Sequence, residues 1–115
     1  GLISFIQKDL TAAKSYLLSA LEKEQSIAQV HNLLGLIALN ERNTVTAEKH
    51  LVKATRLDES YSNAHYNLAL LYEIYLQDMN KAAIHYKKYL RSIEFKDELT
   101  SDWLSGIEAI IQQAE

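Results

Sequence analysis

Four histidines, His31, His50, His65 and His85, are the side chains of this 115-residue chain best suited to chemistry near neutral pH, since imidazole titrates there and ligates metals. His31 and His65 stand 34 residues apart. A shared zinc ion would need both nitrogens at about 2.0–2.1 Å and two further ligands. The chain has no cysteine, and the spacing predicts no further histidine or paired aspartate beside either ring. Both are therefore read as amphipathic fillers between helices, and no metal site is assigned. His50 and His85 lie among Lys49, Lys53, Lys87 and Lys88, a setting that reads as solvated surface.

Other constellations are missing. The chain contains no G-x-S-x-G elbow, no Walker loop and no H-E-x-x-H pair. The charge runs at Glu22-Lys23-Glu24 and over residues 94–98 read as helix ends facing water. Gly35 has no glycine-rich loop around it, so it does not read as a phosphate cradle. No catalytic residue and no cofactor is assigned, and the chain is not read as an enzyme.

Composition narrows the partners. The net charge is −3 with the basic residues scattered, so no Lys/Arg stripe tracks a phosphate backbone and nucleic acid is not expected as a partner. Lack of cysteine rules out a disulfide framework and fits a reducing or an oxidising compartment alike. The longest apolar stretch, residues 33–39, is far below the roughly 20 residues of a membrane span.

The elements that position these side chains follow from a repeat. Ala13-x3-Leu17-x2-Ala20 recurs as Ala47-x3-Leu51-x2-Ala54, and His31-x2-Leu34-Gly35 recurs as His65-x2-Leu68-Ala69, both at a shift of 34. A third segment, Ala82-x3-Tyr86-x2-Tyr89, follows 35 residues after the second, and the extra residue is expected in a turn around residues 76–80. Apolar residues at three-to-four spacing make each repeat two helices. Polar clusters place the helices at about 2–7, 10–23, 27–40, 45–57, 61–76, 79–94 and 98–113. Small residues at Ala20, Gly35, Ala47, Ala54, Ala69 and Ala82 would let paired axes approach to about 8–10 Å.

This spacing resembles the tetratricopeptide repeat, which carries a bulky residue, Leu-Gly, an aromatic, and then Ala, a large apolar residue and Ala across two helices. Leu57-Asp58 resembles the close of such a repeat, and Tyr66-Asn67-Leu68-Ala69 through Tyr72 resembles its first helix. Histidine stands in place of tryptophan at 31 and 65, Ala38 in place of the aromatic, and the proline expected near Glu59 is missing. The resemblance implies an all-α fold, a right-handed α-solenoid of about 2.5 repeats with a C-terminal capping helix. It divides a single domain into a partial first repeat (1–27), a second (28–61), a third (62–96) and the cap (97–115). Leu99, Trp103, Leu104, Ile107, Ile110, Ile111 and Ala114 form one apolar stripe on that cap, expected to seal the last repeat. Residues 67–76 and 81–90 also resemble bacterial members, including some that assemble the cell envelope.

Function follows by the same resemblance. The family's concave groove maps by spacing onto Leu2, Phe5, Gln29, Asn32, Leu33, Leu36, Asn63, Tyr66, Asn67 and Leu70. Members that grip a C-terminal carboxylate use Lys, Arg and Asn there, whereas the matching places hold Asn32, Leu36, Asn63 and Asn67, so a dicarboxylate clamp is not expected. The expectation is a scaffold holding a protein or peptide partner, an amphipathic helix or an extended segment, in a mixed apolar and amide groove. The alternative is self-association, in which an open N-terminal repeat edge stacks on another copy.

Overall fold

A computed structural model describes residues 10–16, 18 and 27–114; the expectations for Leu2, Phe5, Ala20, the helix over 2–7 and the N-terminal repeat edge lie outside them. Residues 10–16 and 18 are helical. Five helices follow, α1 (Ala28–Asn40), α2 (Thr44–Leu57), α3 (Ser62–Leu70), α4 (Met79–Ser92) and α5 (Glu98–Ala114), with a π-helical turn over Leu71–Tyr75 prolonging α3. Every boundary lies within two residues of its sequence expectation. The caps explain why. Asn43 Oδ1 accepts from Thr46 N–H and Asp78 Oδ1 from Lys81 N–H, each at 3.1 Å, satisfying otherwise orphaned donors at the starts of α2 and α4. At α5 the Asp97 carboxylate accepts from the Thr100 N–H at 3.0 Å, and from the Thr100 and Tyr89 hydroxyls at 2.8 Å each. The Thr100 N–H first, and then the Tyr89 hydroxyl, hold its pKa below the ordinary carboxylate value.

The helices pair as α1 with α2 and α3 with α4, and α5 lies against α4. Small residues make these pairs close. Ala47, Ala54, Ala64, Ala69 and Ala82 are fully buried, and Leu51 packs against Gly35 so tightly that a Cβ built there would lie 2.6 Å from Leu51 Cγ and 3.3 Å from the Ala47 carbonyl oxygen. The main core gathers Leu51, Leu68, Leu71, Tyr72, Tyr86, Leu104 and Ile107 from α2 to α5. A second cluster, Val30, Leu34 and Ile37, is covered by Leu10 and Ile27. Each fully buried leucine contributes about 1.5–3 kcal/mol, so the seam and the core together carry the stability.

Two expectations change. The extra residue of the third segment is not in the turn at 76–80 but inside the helix before it. In the second repeat Glu41 N–H bonds the Ile37 carbonyl, whereas the corresponding Leu76 N–H reaches the Leu71 carbonyl, one residue further back. A π turn is how a helix takes in one added residue without shifting the layers on either side. The cap stripe is also broader than the face it buries. Thr100, Leu104 and Ile107 are buried, but Leu99 (86% exposed), Trp103 (56%) and Ile110 (54%) are not. A helix laid on a single partner buries a narrow stripe, and α5 packs mainly against α4.

Arg42 (φ 61°) and Gln77 (φ 54°), each ending a helix, hold the left-handed conformation that costs a side-chain-bearing residue about 1–2 kcal/mol. Arg42→Gly and Gln77→Gly should each raise stability by about 0.5–1 kcal/mol, read as a higher denaturant midpoint at unchanged slope. Packing makes the opposite demand. Ala69→Leu should cost about 1–3 kcal/mol, and Gly35→Ala should also destabilise despite alanine's better helix propensity. A Gly35→Ala variant melting above the parent would place the tight contact elsewhere.

Candidate functional site

α1 and α3 lie side by side and share one face. From α1 it carries Gln29, Leu33 and Leu36, all exposed, with Leu33 46% and Leu36 38% accessible. Neither leucine is core. From α3 it carries exposed Asn63 and half-buried Tyr66, Asn67 and Leu70. Asn32 lies beneath the face: it is buried, and its Oδ1 accepts from Asn67 Nδ2 at 3.0 Å. That amide pair ties α1 to α3 and satisfies polar groups that would be costly if left unpaired. Tyr66 is also engaged from below, its ring centroid 5.0 Å from Tyr89 and 6.0 Å, edge-on, from Tyr86. Phe5 lies outside the described residues.

The face continues where sequence spacing did not place it. A depression of about 240 Å³ is lined by Tyr66, Leu70, Glu73, Ile74, Leu99 and Trp103. Glu73 organises it: the Trp103 indole N–H and the Tyr86 hydroxyl both donate to its Oε1, at 2.8 and 2.7 Å. Burial first, and then this carboxylate, push the Tyr86 phenol above its ordinary pKa. Trp103 is thus held upright from α5, presenting an indole surface to solvent beside Leu99 and Ile74. The signal for this was in the apolar stripe of residues 98–113, which has more large side chains than one helix-on-helix contact can cover.

The histidines do not behave as expected. His31 and His65 are buried between paired helices, but His50 and His85 are half-buried rather than solvated. Each forms a pair, His31 with His50 and His65 with His85, with Nδ1 to Nδ1 separations of 3.1 Å and stacked rings. The expectation that no second histidine would lie beside His31 or His65 is overturned, because α2 and α4 cross at one matching layer in both repeats. His65 Nε2 must donate to the Glu59 carbonyl at 2.8 Å, so with one proton per ring His65 Nδ1 accepts and His85 Nδ1–H donates. Tyr72 stacks on the other side of His85 and Lys81 lies over the Tyr72 ring. Among the described residues no group of three His, Cys, Asp or Glu side chains has metal-binding geometry.

No protein-family signature matches the sequence, and no curated protein does. A solved structure does match. It is the first tetratricopeptide domain of Spaghetti (RPAP3), bound to the HSP90 peptide SRMEEVD, at a TM-score of 0.78 and 17% identity over 94% of this chain and 86% of that one. The fold is that of a tetratricopeptide repeat. α1–α2 and α3–α4 are its helix pairs, and the histidine pairs occupy the layer where this fold otherwise expects a single large aromatic.

The pairing has a pH signature. Burial first, then the partner histidine, then Lys49 and Lys53 lower the pKa of His50; burial, His65, Lys88 and Lys81 push His85 down to about 4. Both rings are neutral in the folded chain at pH 7, and the unfolded chain binds more protons below its pKa of about 6.5. The contribution of these rings to stability is therefore present above about pH 6.5 and is lost as the pH falls toward 4. Thermal melts at the two pH values should show this fall. His85→Gln should flatten it, whatever its effect on absolute stability; an unchanged slope would assign the fall to other groups.

Proposed function

We propose that this chain is a peptide-binding interaction module without catalytic activity, and that its ligand lies along the α1/α3 face and runs onto α5. The observation that supports this reading is the set of exposed apolar side chains, Leu33, Leu36, Ile74, Leu99 and Trp103, with half-buried Leu70 among them, on a fold whose solved neighbour carries a peptide. A surface of this kind is costly to leave in water unless a partner covers it. The residues inferred from spacing keep distinct roles in this proposal. Gln29, Leu33, Leu36 and Asn63 contact the ligand, Tyr66 and Leu70 form the wall of the depression, and Asn32 and Asn67 fix the spacing of the two helices. Phe5 is the proposed continuation at the N-terminal end.

The ligand chemistry differs from that of the neighbour. The SRMEEVD peptide of the RPAP3 complex is rich in carboxylates. Here the places that would meet carboxylates hold Asn32, Leu36, Asn63 and Asn67, and no Lys or Arg lies among them. The proposed ligand is an amphipathic helix or extended segment presenting large apolar side chains, with Trp103 as the anchor, since a half-exposed indole fixed by one hydrogen bond gives contact area at small entropic cost.

Peptides selected from a random library against the 115-residue chain should carry large apolar residues. Their affinity should change little between about 50 and about 300 mM salt, because apolar burial is not screened. Leu36→Lys and Trp103→Ala should each weaken binding by about 1–3 kcal/mol with the melting temperature held, as calorimetric titration would read. Selection of no apolar peptide whose affinity either variant weakens would rule out this face.

A further inference from the structure

A wide open cleft lies on the other side of the molecule, between α2 and α4, with a volume of about 710 Å³. His65 and Tyr72 from α3 and its π turn form its floor, and its rim carries Arg56 from α2 and Lys81, Lys88 and Arg91 from α4. Glu59 is the single carboxylate in the lining. A chain of net charge −3 thus brings four of its twelve Lys and Arg side chains to one cleft. Among the described residues Arg56, Lys88 and Arg91 form no ion pair, although Lys14, Lys87 and Lys96 do. Lys81 rests over the Tyr72 ring, 5.4 Å from its centroid, which leaves its ammonium without a carboxylate partner as well.

We propose that this α2/α4 cleft is a second binding site, which takes an acidic peptide segment of a partner protein. Charge complementarity and spacing select that occupant. Lys81 and Lys88 are seven residues apart on α4, about 10.5 Å along its axis, and Arg91 lies about 4.5 Å further on. An extended peptide presents every second side chain to one face, about 6.6 Å apart, so three carboxylates at alternate positions span about 13 Å, within side-chain reach of the about 15 Å from Lys81 to Arg91. A single inorganic anion satisfies one cation and leaves the rest unpaired. The buried floor lowers the local dielectric, so charge pairs formed inside the cleft are stronger than exposed surface pairs. Nucleic acid fits less well. Tyr72 is only 5% exposed and His65 is buried, while half-buried His85 already stacks with both, so the cleft offers no free ring for base stacking, and the rest of the negatively charged chain repels a polyanion longer than the cleft.

The site is independent of the apolar face, and one experiment separates them. Fluorescently labelled hexaglutamate, hexaglutamine and a six-nucleotide uridine RNA are titrated against the 115-residue chain and read by polarisation. Hexaglutamate should bind, hexaglutamine should not, and hexaglutamate affinity should drop about tenfold or more between about 50 and about 300 mM salt. Lys88→Glu with Arg91→Glu should abolish binding, and Lys88→Gln with Arg91→Gln, which removes charge without adding repulsion, should weaken it about tenfold with an unchanged melting curve. Glu59→Gln should tighten it about twofold, and Leu36→Lys should not weaken it. Equal binding of hexaglutamate and hexaglutamine, or indifference to the glutamine pair, would overturn the proposal. Tighter binding of the RNA than of hexaglutamate would overturn it in favour of nucleic acid, and concentration-dependent dimerisation abolished by the glutamate pair would overturn it in favour of a second copy.

Discussion

Everything in this molecule depends on how closely two helices of a pair can approach. Gly35 sets that distance in the second repeat, because Leu51 occupies the space a Cβ would need. Ala69 stands in the equivalent place of the third. With that contact fixed, the neighbouring side chains pack against a close seam, and the two histidine pairs lie between the same paired helices. Because the same layer recurs, the α1/α3 face and the α2/α4 side are each generated twice in register. A face assembled this way is as continuous as the repeat itself.

The third repeat shows how strict that register is. It contains one residue more than the second, and a one-residue slip inside a helix would rotate every later side chain by about 100°. The chain resolves this with a π turn over Leu71–Tyr75, so that Asp78 still caps α4 as Asn43 caps α2. The added residue falls beside Glu73 and Ile74, two side chains that line the depression shared with Trp103. Irregular backbone and candidate ligand contact thus coincide, as is common for π turns.

The repeat, the helix boundaries and the small-residue seam were legible in the sequence because each depends on residue size and period, which are local properties. The histidine partners were not. His50 and His85 sit among lysines in sequence, and only the crossing of α2 over α1 and α4 over α3 shows that one ring per turn faces inward while the lysines face out. The end of the candidate face was hidden for a related reason. Leu99 and Trp103 carry the same apolar signal as Leu104 and Ile107, and which of them a neighbour covers depends on the packing angle of α5, which no periodicity encodes. The amide pair of Asn32 and Asn67 was found by spacing as two face residues, yet one of them is buried; a 34-residue period gives the direction of a side chain and not its depth.

The two surfaces divide the chemistry of binding between them. On the α1/α3 side apolar groups are exposed and the one organising charge, Glu73, is already taken by Trp103 and Tyr86. On the α2/α4 side Arg56, Lys81, Lys88 and Arg91 are exposed and form no ion pair among the described residues, while the aromatic ring of Tyr72 is buried beneath them. A repeat whose second helices carry Lys and Arg toward a common cleft must place its apolar residues on the opposite edge, since both sets cannot share one helix stripe without burying charge. A partner that contacts both sides would therefore be held by two terms, of which only one weakens with salt. Raising ionic strength would release the acidic contact and leave the apolar one, so the second site would govern the rate of encounter more than the lifetime of the complex.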